Sequence, residues 1–258
     1  MPPPPPPPLL RSLEGPDGAW QLWGLHTRED NYAWVLADPR RRAIAIDAPD
    51  PAPVLRLLQT EHLDLHHLLI THAHPDHTEG IPALRAATRC LLHHVPPPGT
   101  PLQLLGLPVR VLDTSGHSDA DRSFVFDALA LCCCGDTLFA GGCGRIFAGP
   151  ASRMWQSILQ LRALPDDTLL CPGHDYALDN LRFAAQTFPG IPAFRERLLA
   201  AETAARSHTL FPPVRLGDET RANPMLMADH PAIARTLGLD TADPAACFAR
   251  IRELRNLF

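Results

Sequence analysis

In Leu68-Leu69-Ile70-Thr71-His72-Ala73-His74-Pro75-Asp76-His77 an apolar run passes directly into three histidines and an aspartate. The run predicts a buried strand that delivers four candidate ligands onto a loop at its C-terminal end, where α/β sheets place their chemistry. His72 and His74 share one side of an extended backbone. Pro75 stops that backbone from continuing as ordinary paired strand or helix interior. Asp76 and His77 therefore fall where a helix can begin and aim elsewhere. One such segment can feed two ions, and neutral imidazole with carboxylate suits zinc, manganese or iron.

A single segment cannot saturate two ions, so distant ligands are expected. Three candidates each lie just beyond an apolar strand and directly after a glycine: His117 in Thr114-Ser115-Gly116-His117, Asp136 in Gly135-Asp136-Thr137, and His174 in Pro172-Gly173-His174. Glycine permits tight turns in which the next side chain approaches a metal. The inventory is then His72, His74, His77, His117 and His174 with Asp76 and Asp136. With 13 histidines in the chain, stray neighbours are also expected, and His66-His67 and His93-His94 are assigned to surface or packing.

The surroundings are those of a globular domain. The chain has 258 residues, 45% hydrophobic and 20% charged, enough for a sizeable core. Its net charge of −5 gives no basic face for nucleic acid. No uninterrupted apolar run is long enough for a membrane span. Met1 and the prolines Pro2 to Pro8 carry neither the basic start nor the apolar run of a secretory signal, so residues 1–10 are expected to be a flexible polyproline II tail. Seven cysteines, an odd number with Cys132 to Cys134 consecutive, fit reduced thiols and a cytoplasmic address. Neighbouring strand residues point to opposite faces, so Cys132 to Cys134 are expected to be core residues and not metal ligands. Oligomeric state is not legible; a monomer is the working expectation.

Strands are predicted at Trp20 to Leu25, Tyr32 to Leu36, Ala43 to Asp47, His67 to Ile70, Arg89 to Leu92, Val109 to Leu112, Ser123 to Phe126, Ala130 to Cys134 and Thr168 to Cys171. Helices are predicted at Pro51 to Gln59, Ile81 to Ala87 and Ser152 to Leu164, the last with Ser152 as its cap. After about Tyr176 helical patterns dominate: Leu178 to Thr187, Pro192 to Ser207, Ile233 to Leu237 and Pro244 to Leu257. Two groups of strands with helices outside them point to a layered α/β sandwich, with 11–175 as a catalytic domain and 176–258 as a helical subdomain.

The run His72-Ala73-His74-Pro75-Asp76-His77 resembles the signature of the metallo-β-lactamase superfamily, which implies an αββα sandwich with a metal centre at the sheet edges and, here, a C-terminal α-helical subdomain. Within it the chain is similar to the hydroxyacylglutathione hydrolases, the glyoxalase II family. The similarity rests on Gly135-Asp136-Thr137-Leu138-Phe139-Ala140-Gly141-Gly142-Cys143-Gly144-Arg145, Asn31-Tyr32, Gly173-His174-Asp175-Tyr176 and Asn223-Pro224. Ala73, Glu79, Ala148, Asp175 and Met227 depart from the family pattern, and none of them removes a ligand.

The resemblance implies a thioester hydrolase acting on S-D-lactoylglutathione through two divalent ions, zinc first and iron or manganese as alternatives. It implies that His72, His74 and His117 hold one ion, Asp76, His77 and His174 the other, and that Asp136 bridges them. A water shared by two dications loses its proton near neutral pH and can attack the thioester carbonyl. Asp76 has an alternative role as a base or water-orienting group. Arg145, Tyr176, Arg252 and Arg255 are the implied glutathione contacts, the last two as a clamp on a carboxylate. Asn31 and Asp47 match recurring family positions and can equally serve turns. The competing expectations are a mononuclear iron persulfide dioxygenase and a non-catalytic metal-binding homologue.

Overall fold

The computed structural model describes residues 10–207, 209–239 and 243–258. The prolines Pro2 to Pro8 lie outside them. Leu10, expected in the same flexible tail, is half-buried, and its N–H donates to Leu22 O at 3.1 Å. Local pairing with the first hairpin holds it in place.

The first sheet runs in chain order: β1 (Arg11–Gly15), β2 (Gly18–Thr27), β3 (Asn31–Ala37), β4 (Arg42–Ile46), β5 (Asp64–Ile70) and β6 (Leu91–His94). The first four pair antiparallel, while β4, β5 and β6 are parallel. Parallel neighbours need crossovers, supplied by α1 (Pro51–Thr60) and by the short α2 (Pro75–Thr78) with α3 (Ile81–Thr88). The second sheet is built from β7 (Leu102–Leu104), β8 (Leu107–Asp113), β9 (Arg122–Phe126) and β10 (Leu131–Gly135). A small hairpin of β11 (Leu138–Phe139) and β12 (Gly142–Cys143) follows, then α4 (Ala151–Arg162) and β13 (Leu169–Pro172). Next come α5 (Ala177–Thr187), α6 (Pro192–Arg206), β14 (Val214–Arg215), α7 (Leu216–Ala222), α8 (Pro231–Leu237) and α9 (Pro244–Leu257). The second sheet has the order β14-β13-β10-β9-β8-β7.

Three apolar layers follow from the alternation of side chains along strands. Between the sheets, Trp34, Leu36, Ile46 and Leu69 meet Phe124, Phe126, Leu131 and Cys171. Outside the first sheet, Val35, Ala45 and Leu68 pack on Val54, Leu57 and Leu84 of α1 and α3. Outside the second, Val125, Cys132 and Leu170 pack on Trp155 and Ile158 of α4 and on Phe183 and Phe248 of the C-terminal helices. The result is an αββα sandwich. Cys132 and Cys134 face the helical layer and Cys133 the intersheet layer, as strand alternation requires; all seven cysteines are buried.

Several local expectations need correction. Ser152 does not cap α4: the helix starts at Ala151 with Pro150 as N-cap, and no side chain caps it. Arg89 is not a strand residue but the left-handed C-cap of α3 (φ 59°), which moves β6 to Leu91–His94. The helical tail also contributes β14, antiparallel to β13, and the short helix α7 directly after it. Val214 and Arg215 are too few to show a strand period in the sequence.

Candidate metal centre

β5, β10 and β13 end on the same side of the sandwich, and the loop after β8 reaches it as well. Beyond β5, Thr71 to Ala73 leave the sheet in irregular backbone, His74 is extended as the N-cap of α2, and Pro75 takes its first helical position. A proline there needs no N–H partner. The backbone thus turns between His74 and Asp76, and the four side chains divide as the spacing predicts. Gly135 adopts φ +49°, and a Cβ on it would meet Thr71 Cβ at 2.8 Å. That close approach lets β10 bring Asp136 against the β5 loop. At Gly173 a side chain would collide with the Asp136 carboxylate and the His77 ring.

All seven predicted side chains converge. His74 Nδ1 lies 3.1 Å from His72 Nε2 and 3.0 Å from His117 Nε2. His77 Nε2 lies 3.3 Å from His174 Nε2 and 3.8 Å from Asp76 Oδ2, which is 3.4 Å from His174 Nε2. Asp136 sits between the two groups, with Oδ1 3.5 Å from His77 Nε2 and Oδ2 3.4 Å from both His117 Nε2 and His174 Nε2. Among the described residues, three sets have ligand atoms close enough to surround one ion: His72-His74-His117, His72-His77-Asp136 and Asp76-His77-His174.

The outer nitrogens show why a cation suits this arrangement. His117 Nδ1–H donates to Arg145 O at 2.9 Å, so its Nε2 carries a lone pair. His77 Nδ1–H donates to Asp47 Oδ2 (2.9 Å) and His174 Nδ1–H to Asp30 Oδ1 (2.8 Å). Carboxylate partners of this kind fix the tautomer and the ring. With both rings neutral, the inward Nε2 atoms of His77 and His174 face each other with lone pairs, and positive charge between or upon them relieves that contact. Asp136 Oδ1 is buried and has no hydrogen-bond partner. Orphaned buried acceptors are costly, and divalent ions satisfy such a donor set.

The electrostatics agree. Burial and the neighbouring imidazoles push His72 down to about 2. Burial opposes charge on His174 too, but Asp136, Asp76 and Asp30 override it and raise His174 to about 11. The hydrogen bond with His174 holds Asp76 well below the carboxylate range against its burial. Asp136 is likewise held low: burial disfavours its charge, yet His77, His174 and His72 outweigh it. The acids stay ionised, and the cluster draws in positive charge.

Several supporting residues are hard to see in sequence. Asp47, in a left-handed turn (φ 59°), accepts from Thr71 N–H and Thr71 Oγ1–H at 2.9 Å each besides His77. Asn31 donates to Asp76 O (3.1 Å) and Asp76 Oδ2 (3.2 Å). Asp121 accepts from the N–H groups of Gly116 (3.0 Å) and Ser118 (2.7 Å), fixing the turn that carries His117. Asp30 is a turn acid with no distinguishing pattern. Exposed Phe147 stands edge-on to His117 and His74, with ring centroids at 5.3 and 6.0 Å.

A cavity of about 460 Å³ opens beside the cluster, lined by His74, Asp76, His117 and Asp136 and, further out, by Arg145, Tyr176, Arg252 and Arg255. Arg252 is buried; its Nη1 donates to Cys143 O at 2.6 Å, while Nε has no partner. Arg255 Nε donates to Asn180 Oδ1 at 2.9 Å. The Tyr176 ring stacks on His174 at 4.9 Å. Arg252 and Arg255 of α9 thus line the cavity. Among the described residues, no helix is long and apolar enough to cross a membrane.

A layered sandwich with a histidine–aspartate cluster at its strand ends defines a metal-binding enzyme of the metallo-β-lactamase fold. The fold is similar to that of a crystal structure of BLEG-1 B3 metallo-beta-lactamase, with a TM-score of 0.62, 19% identity and coverage of 80% of this chain and 99% of that one. It is also similar to ETHE1 from Myxococcus xanthus, with a TM-score of 0.63, 25% identity and coverage of 90% of this chain and 89% of that one. In sequence, the hydroxyacylglutathione hydrolase of Rhodopseudomonas palustris (strain BisA53) is 38% identical over 243 residues, which is 88% of this chain and 94% of that protein. Residues 175–258 match the family model described as hydroxyacylglutathione hydrolase C-terminus. The chain belongs to the hydroxyacylglutathione hydrolase family.

Proposed function

We propose that the protein hydrolyses S-D-lactoylglutathione to D-lactate and glutathione, with His72, His74 and His117 around one divalent ion, Asp76, His77 and His174 around a second, and Asp136 between them. The observation that carries this reading is Asp136, a buried carboxylate with one orphaned oxygen, flanked by two sets of inward imidazole nitrogens beside an arginine-lined cavity. Zinc is the first choice for a nitrogen-rich set with carboxylates, and iron or manganese also suit it. Such ions supply Lewis acidity and an activated water when bound.

The chain's own residues do the rest. Asp47, Asp30 and the Arg145 carbonyl hold the imidazoles in the tautomer that keeps Nε2 free inward. Arg252 and Arg255 offer charge-assisted donors to a substrate carboxylate. Phe147 and Tyr176 line the same cavity, against the rings of His117 and His174. In the overall reaction a C–O bond forms from water, the C–S bond breaks, and the thiolate departs without a strong acid. Residues 11–175 supply the ion-holding side chains and 176–258 supply Tyr176, Arg252 and Arg255, a division of labour between a catalytic and a helical substrate-binding part.

The test is to load purified protein with zinc, iron or manganese and follow thioester loss and free-thiol appearance with S-D-lactoylglutathione. Stoichiometric thiol release is expected. Oxygen uptake on glutathione persulfide without thioester loss would favour the dioxygenase reading instead.

A further inference from the structure

The charges at the outer end of the cavity are not all of one sign. Arg145, Arg252 and Arg255 line it together with Asp179, in the first turn of α5. Arg252 and Arg255 are anchored through Cys143 O and Asn180 Oδ1, so their guanidinium groups are held at set places in the wall. The other two lining carboxylates, Asp76 and Asp136, are engaged in the histidine cluster. Asp179 is only loosely held. Its Oδ1 accepts a long 3.4 Å bond from Arg182, and both side chains are well exposed (65% and 45%). An exposed pair of this kind contributes little and exchanges partners readily. Burial, Arg252 and Arg145 lower the affinity of Arg255 for its proton, and the Asp179 charge opposes that shift, so the acid and the arginines share one field.

An acid in the mouth of a site for an anionic substrate weakens binding by simple Coulomb repulsion unless the substrate brings a cation to it. A glutathione thioester carries two carboxylates and one ammonium, the last on its γ-glutamyl end. Three arginines match the carboxylates and leave the ammonium without a partner. We propose that Asp179 receives the γ-glutamyl ammonium and makes the site selective for thioesters whose thiol carries a free amino group. The inference rests on the thioesterase reading above. A polar contact that rejects the analogue lacking it is an established route to specificity.

The experiment compares S-D-lactoylglutathione with its N-acetyl derivative, whose amino group is capped, in the metal-loaded wild type and in Asp179→Asn. In the wild type, capping should raise KM about fivefold, the scale of one partly exposed charge contact. Asp179→Asn should raise KM for the parent thioester by a similar factor and abolish the discrimination between the two substrates, with the effect in KM and not in kcat. The sign separates this from a purely electrostatic role, since deleting a repelling acid lowers KM for an anion. An unchanged or lowered KM for the parent, or an equal rise for both substrates, overturns the proposal. A wild type that leaves S-D-lactoylglutathione intact removes the thioesterase reading and this inference with it, and it is recognised before any variant is compared.

Discussion

His77 Nδ1 lies 2.9 Å from Asp47 Oδ2, with both side chains sealed from solvent. The same carboxylate also accepts from the backbone and hydroxyl of Thr71. One acid therefore fixes the first residue of the ligand loop and the orientation of the ring at its end. Asp47 adopts a left-handed conformation, which costs of order 1 kcal/mol or more for a non-glycine residue and persists only where its surroundings impose it.

Asp47→Ala should keep the seven inward side chains but loosen the ring of His77. Outer carboxylates of this kind are typically worth about 10- to 100-fold in metal affinity or activity. Competition with a chelator on metal-loaded protein measures the loss, and unchanged affinity would show that His77 needs no such partner.

Asp136→Ala removes the carboxylate between the two imidazole groups. Bound metal per chain should fall by elemental analysis, and kcat/KM for S-D-lactoylglutathione should drop by roughly 10³-fold, the rate equivalent of several kcal/mol of Lewis-acid stabilisation. Full metal content with full activity would reject the bridging role.

Arg252→Ala should raise KM about tenfold with little change in kcat, as loss of uniform substrate binding does. Arg250→Ala is the control: Arg250 pairs with Glu253 on the exposed side of α9, and KM should not move. An equal effect of both substitutions would assign the change to helix stability.

The pair His67 and His93, with Nδ1 and Nε2 3.2 Å apart, lies on neighbouring parallel strands away from the cluster. Burial, then His93, His66 and Arg42, lowers His67 to about 4. The unfolded chain takes up this proton near pH 6.5, whereas the folded chain refuses it until about 4. Stability from this group is thus complete above about pH 6.5 and is lost progressively down to about pH 4. Thermal melts across that window should show a shallower acid loss for His67→Gln than for wild type; parallel curves would contradict the shift.

Much of the site was legible because strands are local. An apolar run fixes where a strand ends, and His72, His74, Asp76, His77, His117, Asp136 and His174 all lie within a few residues of such an end. Asp47 and Asn31 were visible as positions but not as roles, since a turn acid and an imidazole partner look alike in sequence. Asp30, Asp121 and Phe147 carried no signal, because their importance comes from a ring or an N–H supplied by another segment. The cap of α4 was misplaced for a related reason: Ser152 is a good cap by composition, but the path from Gly149 and Pro150 starts the helix at Ala151.

The sequence by itself determined the alternation of buried and exposed positions, the strand ends and the chemical inventory of ligands, all of which depend on near neighbours along the chain. Only the tertiary structure decided which nitrogen of each histidine points inward, that Arg252 and Arg255 line the cavity, held by Cys143 and Asn180, and that Asp179 shares that space. Those outcomes depend on contacts between residues 28 to 144 positions apart, as in His117–Arg145, Asn180–Arg255 and His174–Asp30. No local propensity encodes such distances; the packing of two sheets and their covering helices does.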